Sequence, residues 1–146
     1  MKRLQRLARA TDYFYDFSIP DVDCSVVVDQ DNAISALATA SGDQLLISLP
    51  EESENGQTTD DYASRITVAM FAIARINGPA CTPKKAREAY SRLLGVAQAA
   101  VTRLSDDITG GGCSAVSGLR LTGLNVVPEY SIFGGWSGYS IEITLD

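Results

Sequence analysis

The chain is 146 residues long, 45% hydrophobic and 21% charged, with a formal net charge of −6 at pH 7 and no histidine. That length predicts one domain, 1–146, with enough core to do without disulfide or metal support. The missing histidine excludes a serine–histidine or cysteine–histidine nucleophile, and the acidic balance argues against a nucleic-acid-binding face.

Lys2, Arg3, Arg6 and Arg9 carry +4, which leaves −10 for the rest of the chain. The basic start has no continuous apolar run, so no signal peptide is expected. Leu4, Leu7 and Ala8 are spaced for a short amphipathic helix over 2–12, and Tyr13, Phe14, Tyr15 and Phe17 follow as the place where it docks on the core. Asp16, Asp21 and Asp23 nearby repel phosphate, so these aromatics are not read as a base-stacking platform. Ile19-Pro20-Asp21 reads as a turn and Ser25–Val28 as a buried strand.

Asp29-Gln30-Asp31-Asn32 reads as a turn whose side chains bond local backbone. It resembles the start of a calcium loop, but the glycine and closing glutamate are missing. Ile34–Ala40 is expected as a second strand and Gln44–Leu49 as a third, which together predict an antiparallel three-strand meander. Pro50–Thr59 is polar throughout and is expected as the longest loop, with Glu51, Glu52 and Glu54 available to order on contact with a partner.

Thr58 or Thr59 is placed as the cap of a helix over 60–77, its stripe formed by Tyr62, Ile66, Ala69, Met70 and Ile73. The run Val68–Ala74 is far too short to span a bilayer. Asn77-Gly78-Pro79 stops that helix, and Thr82 with Pro83 starts a second over 83–104, carried by Ala86, Tyr90, Leu93, Leu94, Ala97, Val101 and Leu104. The short link between the two predicts a helical hairpin. After Gly110-Gly111-Gly112, residues 119–126 read as a strand with a bulge near Gly123, and Pro128 should lie at a strand end or edge. Residues 137–145 alternate with period two: Tyr139, Ile141, Ile143 and Leu145 on one face, Ser140, Glu142 and Thr144 on the other. The expected fold class is therefore α+β, an antiparallel sheet packed against a helical hairpin and a short N-terminal helix.

No chemical signature emerges from these elements. Gly110–Gly112 lacks the lysine of a P-loop, and Gly134–Gly138 lacks the strand-to-helix turn of a nucleophile elbow. Cys24, Cys81 and Cys113 form no CxxC pair and read as reduced thiols rather than zinc ligands. Asp21, Asp23, Asp29 and Asp31 sit where turns want aspartate. No catalytic residue, metal or cofactor is expected. The candidate interface residues are Tyr130, Phe133, Trp136 and Tyr139, aromatics beside glycine turns for which filling the core is an equal alternative, then Glu51, Glu52 and Glu54, then Arg3, Arg6 and Arg9.

The order of elements, and the stretch Ser117-Gly118-Leu119-Arg120-Leu121 followed after a gap by Gly134-Gly135-Trp136-Ser137-Gly138-Tyr139 and Ser140–Leu145, resembles the neck proteins of tailed bacteriophages, the tail terminators and tail-completion proteins. The likeness covers most of the chain as architecture and its C-terminal end as sequence. It implies a virion subunit, assembled in the host bacterial cytoplasm, that forms a ring, in the implied arrangement a hexamer. Such a ring would cap the tail tube and join neighbouring tail-tube and neck proteins, while DNA slides through an acidic lumen without specific binding. It implies no membrane and no catalysis. The alternative from the residues alone is a small cytosolic binding or adaptor module using the groove between the two helices and the sheet.

Overall fold

The structure is a computed structural model that describes residues 3–54, 64–76, 81–110 and 116–146. Helix α1 spans Arg3–Tyr15 and is followed by strand β1, Asp23–Val27. Helix α2, Gln30–Leu37, leads to strands β2, Gln44–Ser48, and β3, Glu51–Glu54. Strand β4, Ser64–Ala74, precedes the 27-residue helix α3, Pro83–Thr109. Strands β5, Leu121–Ile132, and β6, Trp136–Leu145, close the chain.

The strands form one six-stranded sheet in the order β1-β2-β4-β6-β5, with β3 also pairing with β4. All pairs are antiparallel except β1 with β2. The α+β class with a largely antiparallel sheet therefore stands, but the expected meander does not. Residues 34–37 belong to a crossover helix and 38–40 to the turn that leaves it, because Asp29 caps the helix: its Oδ1 accepts the Asn32 N–H at 2.7 Å, and Asn32 Oδ1 accepts the Val28 N–H at 3.0 Å. Ala33 and Leu37, one turn apart, are both buried. A parallel pair needs such a crossover, and the helix supplies it.

The expected helix over 60–77, and with it the helical hairpin, is also corrected. Ser64–Ala74 is the strand that β2, β3 and β6 all pair with. Ile66, Val68, Met70 and Ala72 face one side and are fully covered, while Ile73 faces the other. A strand covered on both faces reads as a continuous apolar run and loses its period-two signal. The caps placed at Thr58 and Thr59, and the stop at Asn77–Pro79, lie outside the described residues. Part of the expected loop is ordered too. Glu51–Glu54 continues the line of β2 along β4, and at the break the Ser48 hydroxyl accepts the Ala69 N–H at 2.9 Å.

Two layers flank the sheet. On one face α1 and α3 pack through Ala10, Phe14, Val96, Ala97, Ala100 and Leu104 onto Leu45, Ile47, Met70, Ile141 and Ile143. On the other, α2 packs through Ala33 and Leu37 onto Val27, Leu46, Ile73 and Trp136. Each fully covered Leu or Ile side chain contributes about 1.5–3 kcal/mol from leaving water. The closing strand holds as expected, with Ile141, Ile143 and Leu145 completely buried. Gly138 is required by close approach: a Cβ there would overlap the Ala72 carbonyl across the β4–β6 pair.

The first turn of α3 is fixed by Thr82, whose hydroxyl accepts the Lys85 N–H at 3.2 Å, with Pro83 following as expected. The helix then runs along the sheet for about 40 Å at 1.5 Å per residue. It lies over β4 and β6 and leaves β5 at the margin.

Candidate interface

Strand β5 ends the sheet on one side, and its register with β6 sets which residues face α3. Leu124 stands opposite Ile143, Val126 opposite Ile141, and Pro128 opposite Tyr139. Ile143 and Ile141 are roofed by α3, but Leu124 is 48% exposed and Val126 38% exposed. The gap between helix and edge strand is an apolar groove of about 200 Å³, walled by Leu94, Val101, Leu124 and Val126, with Gln98 and Thr102 at its mouth. Val127 and Tyr130 add exposed apolar surface on the same strand.

No charged residue occurs in Leu93–Thr102 or in Leu121–Pro128. Charge depletion at the centre with charged residues around it is the pattern of an interface core. Pro128 lies in an edge strand, as its missing N–H demands, and the bulge expected near Gly123 is present as a register shift between Leu121 and Gly123. Leu124, Val126 and Val127 are not among the expected interface residues, and Leu94 is expected only in the core-facing stripe of α3. The two uncharged stretches were the available signal, but which of their residues would be roofed depended on where α3 lies.

At the lower end of this margin, the hairpin joining β5 and β6 turns through Ser131, Phe133, Gly134 and Gly135, all at positive φ. The Gly135 N–H returns to the Ile132 carbonyl at 3.1 Å. Phe133 is held in that conformation by an edge-on contact with Phe71, ring centroids 5.0 Å apart. Trp136 is 1% exposed and sits under the Arg75 guanidinium, 4.8 Å from the ring centre. Of its two readings, interface anchor and core filler, Trp136 takes the second and fills the smaller core cluster. Tyr139 is half-buried against Tyr90, rings 5.7 Å apart and nearly perpendicular, and the Tyr90 hydroxyl donates to the Glu129 carbonyl at 2.8 Å. Tyr130, 78% exposed, is the one expected aromatic that stands clear of the surface. It rims a cleft of about 310 Å³ with Cys81, Pro83, Ala86 and Tyr90.

The charged candidates are scattered over other elements. Glu51 is exposed and Glu52 half-buried on β3, and Glu54 ends that strand. Arg3 begins α1, Arg6 is half-buried on it and Arg9 exposed. Glu51, Glu52, Arg6 and Arg9 do not line the α3–β5 groove. Besides the buried Ala10 and Phe14, α1 has a polar tie to α3: the Tyr13 hydroxyl donates to Asp107 Oδ2 at 2.6 Å, and Arg103 reaches the same oxygen at 3.0 Å. Burial, then the bond to Asp107, pushes the Tyr13 hydroxyl well above its ordinary pKa. The Tyr13 bond, partly opposed by desolvation and reinforced by Arg103, holds the Asp107 carboxyl below the usual carboxylate range.

The acidic turns are local structure. Asp29 caps α2, and Asp23 lies 3.4 Å from the buried Gln44 amide, whose main partner is the Ser41 carbonyl at 2.9 Å. Cys24 and Cys81 are free thiols; burial, the largest influence, pushes the Cys24 thiol up. Cys113 lies outside the described residues. Among the described residues no group of three or more metal-ligating side chains comes together, and no helix is long and apolar enough to cross a membrane.

Comparison with protein-family models finds no matching family, and comparison with curated proteins finds no match.

Proposed function

We propose that this chain is a structural subunit that works by shape and contact, assembling as a ring at the neck or tail end of a tailed-phage virion. There it would cap the tail tube and contribute to the head–tail junction. One observation carries the reading: the edge strand β5 presents Leu124 and Val126 to solvent along an apolar groove, with exposed Tyr130 further along the strand and exposed Val127 on its opposite face. Edge strands left unguarded invite pairing, and contiguous apolar surface marks a place where another molecule sits. The resemblance of the closing segment to phage neck proteins supplies the kind of assembly, and the −10 body suits a lumen that repels DNA.

Native mass measurement and electron microscopy of the purified protein test this directly. A closed ring of fixed copy number is the expected result; a strict monomer at high concentration overturns it. Tight, salt-sensitive DNA binding by the ring would overturn the lumen role alone.

The adaptor reading has lost its two-helix groove, since 64–74 is a strand. It is favoured now by a single feature, the cleft beside the start of α3. Recovery of one defined non-virion partner, lost on Tyr130→Ala, would favour it over the ring.

A further inference from the structure

Strand β5 pairs with β6 on one side, and among the described residues no strand lies on its other side. Arg120 and Asp146 exchange both backbone bonds, at 2.8 and 2.9 Å. Such pairs alternate along an antiparallel ladder, so Gly123, Asn125, Val127 and Glu129 turn their backbone polar groups toward β6. Leu124, Val126 and Pro128 turn theirs outward, and Pro128 has no N–H to present.

This edge is balanced about Asn125. Asn125 pairs with Glu142; Arg120 pairs with Asp146 and Glu129 with Gly138, each four rungs from Glu142 and on opposite sides of it. The bulge between Leu121 and Gly123 makes the count equal, since it absorbs one extra residue on the Arg120 side. Even spacing puts Arg120, Asn125 and Glu129 on one face of the sheet, away from α3. Leu124 and Val126, one rung either side of Asn125, share the α3 face. Nothing on the strand between Arg120 and Glu129 is charged. Arg120 is exposed; Glu129 is half-buried and accepts the Ser140 hydroxyl through Oε1 at 3.0 Å. Among the described residues neither forms an ion pair, and Asp146, opposite Arg120, lies 3.4 Å from Arg65.

We propose that β5 pairs with β5 of a second copy across a two-fold axis passing through Asn125 perpendicular to the sheet. That axis sets the strands antiparallel and keeps both α3 helices on one side. Arg120 of each copy then stands opposite Glu129 of the other. Leu124 of each stands opposite Val126 of the other, and their outward N–H and C=O groups bond across the seam. Pro128 falls opposite the bulge of the other copy, where the ladder is already irregular. The two apolar grooves meet along the seam, with uncharged Gln98 and Thr102 at their mouths. Moving the axis by half a rung sets residues of opposite faces against one another, and moving it by a full rung parts Arg120 from Glu129. Backbone bonds and the Leu124–Val126 contacts hold the pair; the exposed ion pairs, weak singly, select its register. A second copy matches both charges at once, which favours it over a foreign strand. The contact goes beyond the ring reading and does not depend on it. It is isologous and closes on two copies, so a ring that contains it has an even copy number.

Arg120→Glu and Glu129→Arg, followed by analytical ultracentrifugation, test the pairing. Each alone sets like charges together at both ends of the seam and should weaken self-association about tenfold. An equimolar mixture regains both ion pairs and should associate as the wild type does, as a mixed species in native mass spectra. Asn125→Cys gives a second readout that stands if a charge variant misfolds by circular dichroism. It sets two thiols on the axis at the Cα separation of about 4.5 Å of a non-hydrogen-bonded pair, within disulfide reach. Oxidation should give a covalent dimer. Val127→Cys, which faces Gly123 across the axis, should give none, and neither should the wild type with its own three cysteines. Charge variants that associate unimpaired, a mixture that fails to recover, or associated Asn125→Cys protein that does not cross-link overturns this pairing and leaves the ring reading intact. A cross-linked dimer that never forms a ring upholds the pairing and overturns the ring. A monomeric wild type overturns both.

Discussion

Strands β6 and β5 are neighbours of similar chemistry and opposite fate. Ile141 and Ile143 on β6 are fully buried; Val126 and Leu124, directly across the ladder from them, are more than a third exposed. Neither strand propensity nor apolar character separates them. The difference is the roof: α3 covers β4 and β6 and ends its shadow before β5. Burial here belongs to the layer above the strand, and a margin left unroofed is surface that awaits a partner.

The contrast breaks most strongly at the close β4–β6 pair. Gly138→Ala should destabilise the monomer by about 3 kcal/mol or abolish folding, because the new methyl meets the Ala72 carbonyl. Thermal or urea unfolding reads this. Ile141→Ala, under the roof, should cost about 2–5 kcal/mol in the same assay. Truncation of its ladder partner, Val126→Ala, should cost less than about 0.5 kcal/mol yet weaken assembly. Equal costs at the two positions would mean that β5 is covered in the free subunit.

The roof itself can be loosened. Tyr13→Phe removes the bond that ties α1 to α3 and should cost about 1 kcal/mol. It should also change the acid limb of stability. In the folded chain the Asp107 carboxyl is held below its ordinary value, so the unfolded chain takes up the proton first as pH falls. The stabilisation is complete above the ordinary carboxylate range and is lost as pH drops through the folded value, below about pH 4. Urea midpoints followed from neutral pH downward should fall less steeply in Tyr13→Phe than in the wild type. An unchanged acid limb would assign that loss to other carboxylates. The smallest effect is expected at Tyr130→Ala, which should leave stability within about 0.5 kcal/mol and report on binding alone.

Local signals in the chain were strong where one residue type has one structural use. Thr82-Pro83 starts a helix, Pro128 marks an edge, Gly123 sits at a register shift, and alternation over 137–145 is a strand with one covered face. They misled where two uses share one pattern. Asp29 and Asn32 are turn formers and helix caps alike, and the i, i+4 pair Ala33 and Leu37 was the sign that tipped 30–37 to helix. In 64–74 the helix formers Ala and Met recur at helical spacing, but Ile66, Val68 and Ile73 are β-branched, and pairing with three strands decided the matter.

Read alone, the residues determined the class of the molecule: mixed helix and sheet, a closing strand with one buried face, an acidic body with a basic start, and no histidine for general-base chemistry. Tertiary structure decided the strand order, the single parallel pair, and which apolar residues stay uncovered. The physical reason is that a side chain's exposure depends on what packs above it, and that layer is contributed by residues far away in the chain. Trp136 and Tyr130 show it within one hairpin: both are aromatics beside glycines or a turn, and one fills the core while the other stands in water.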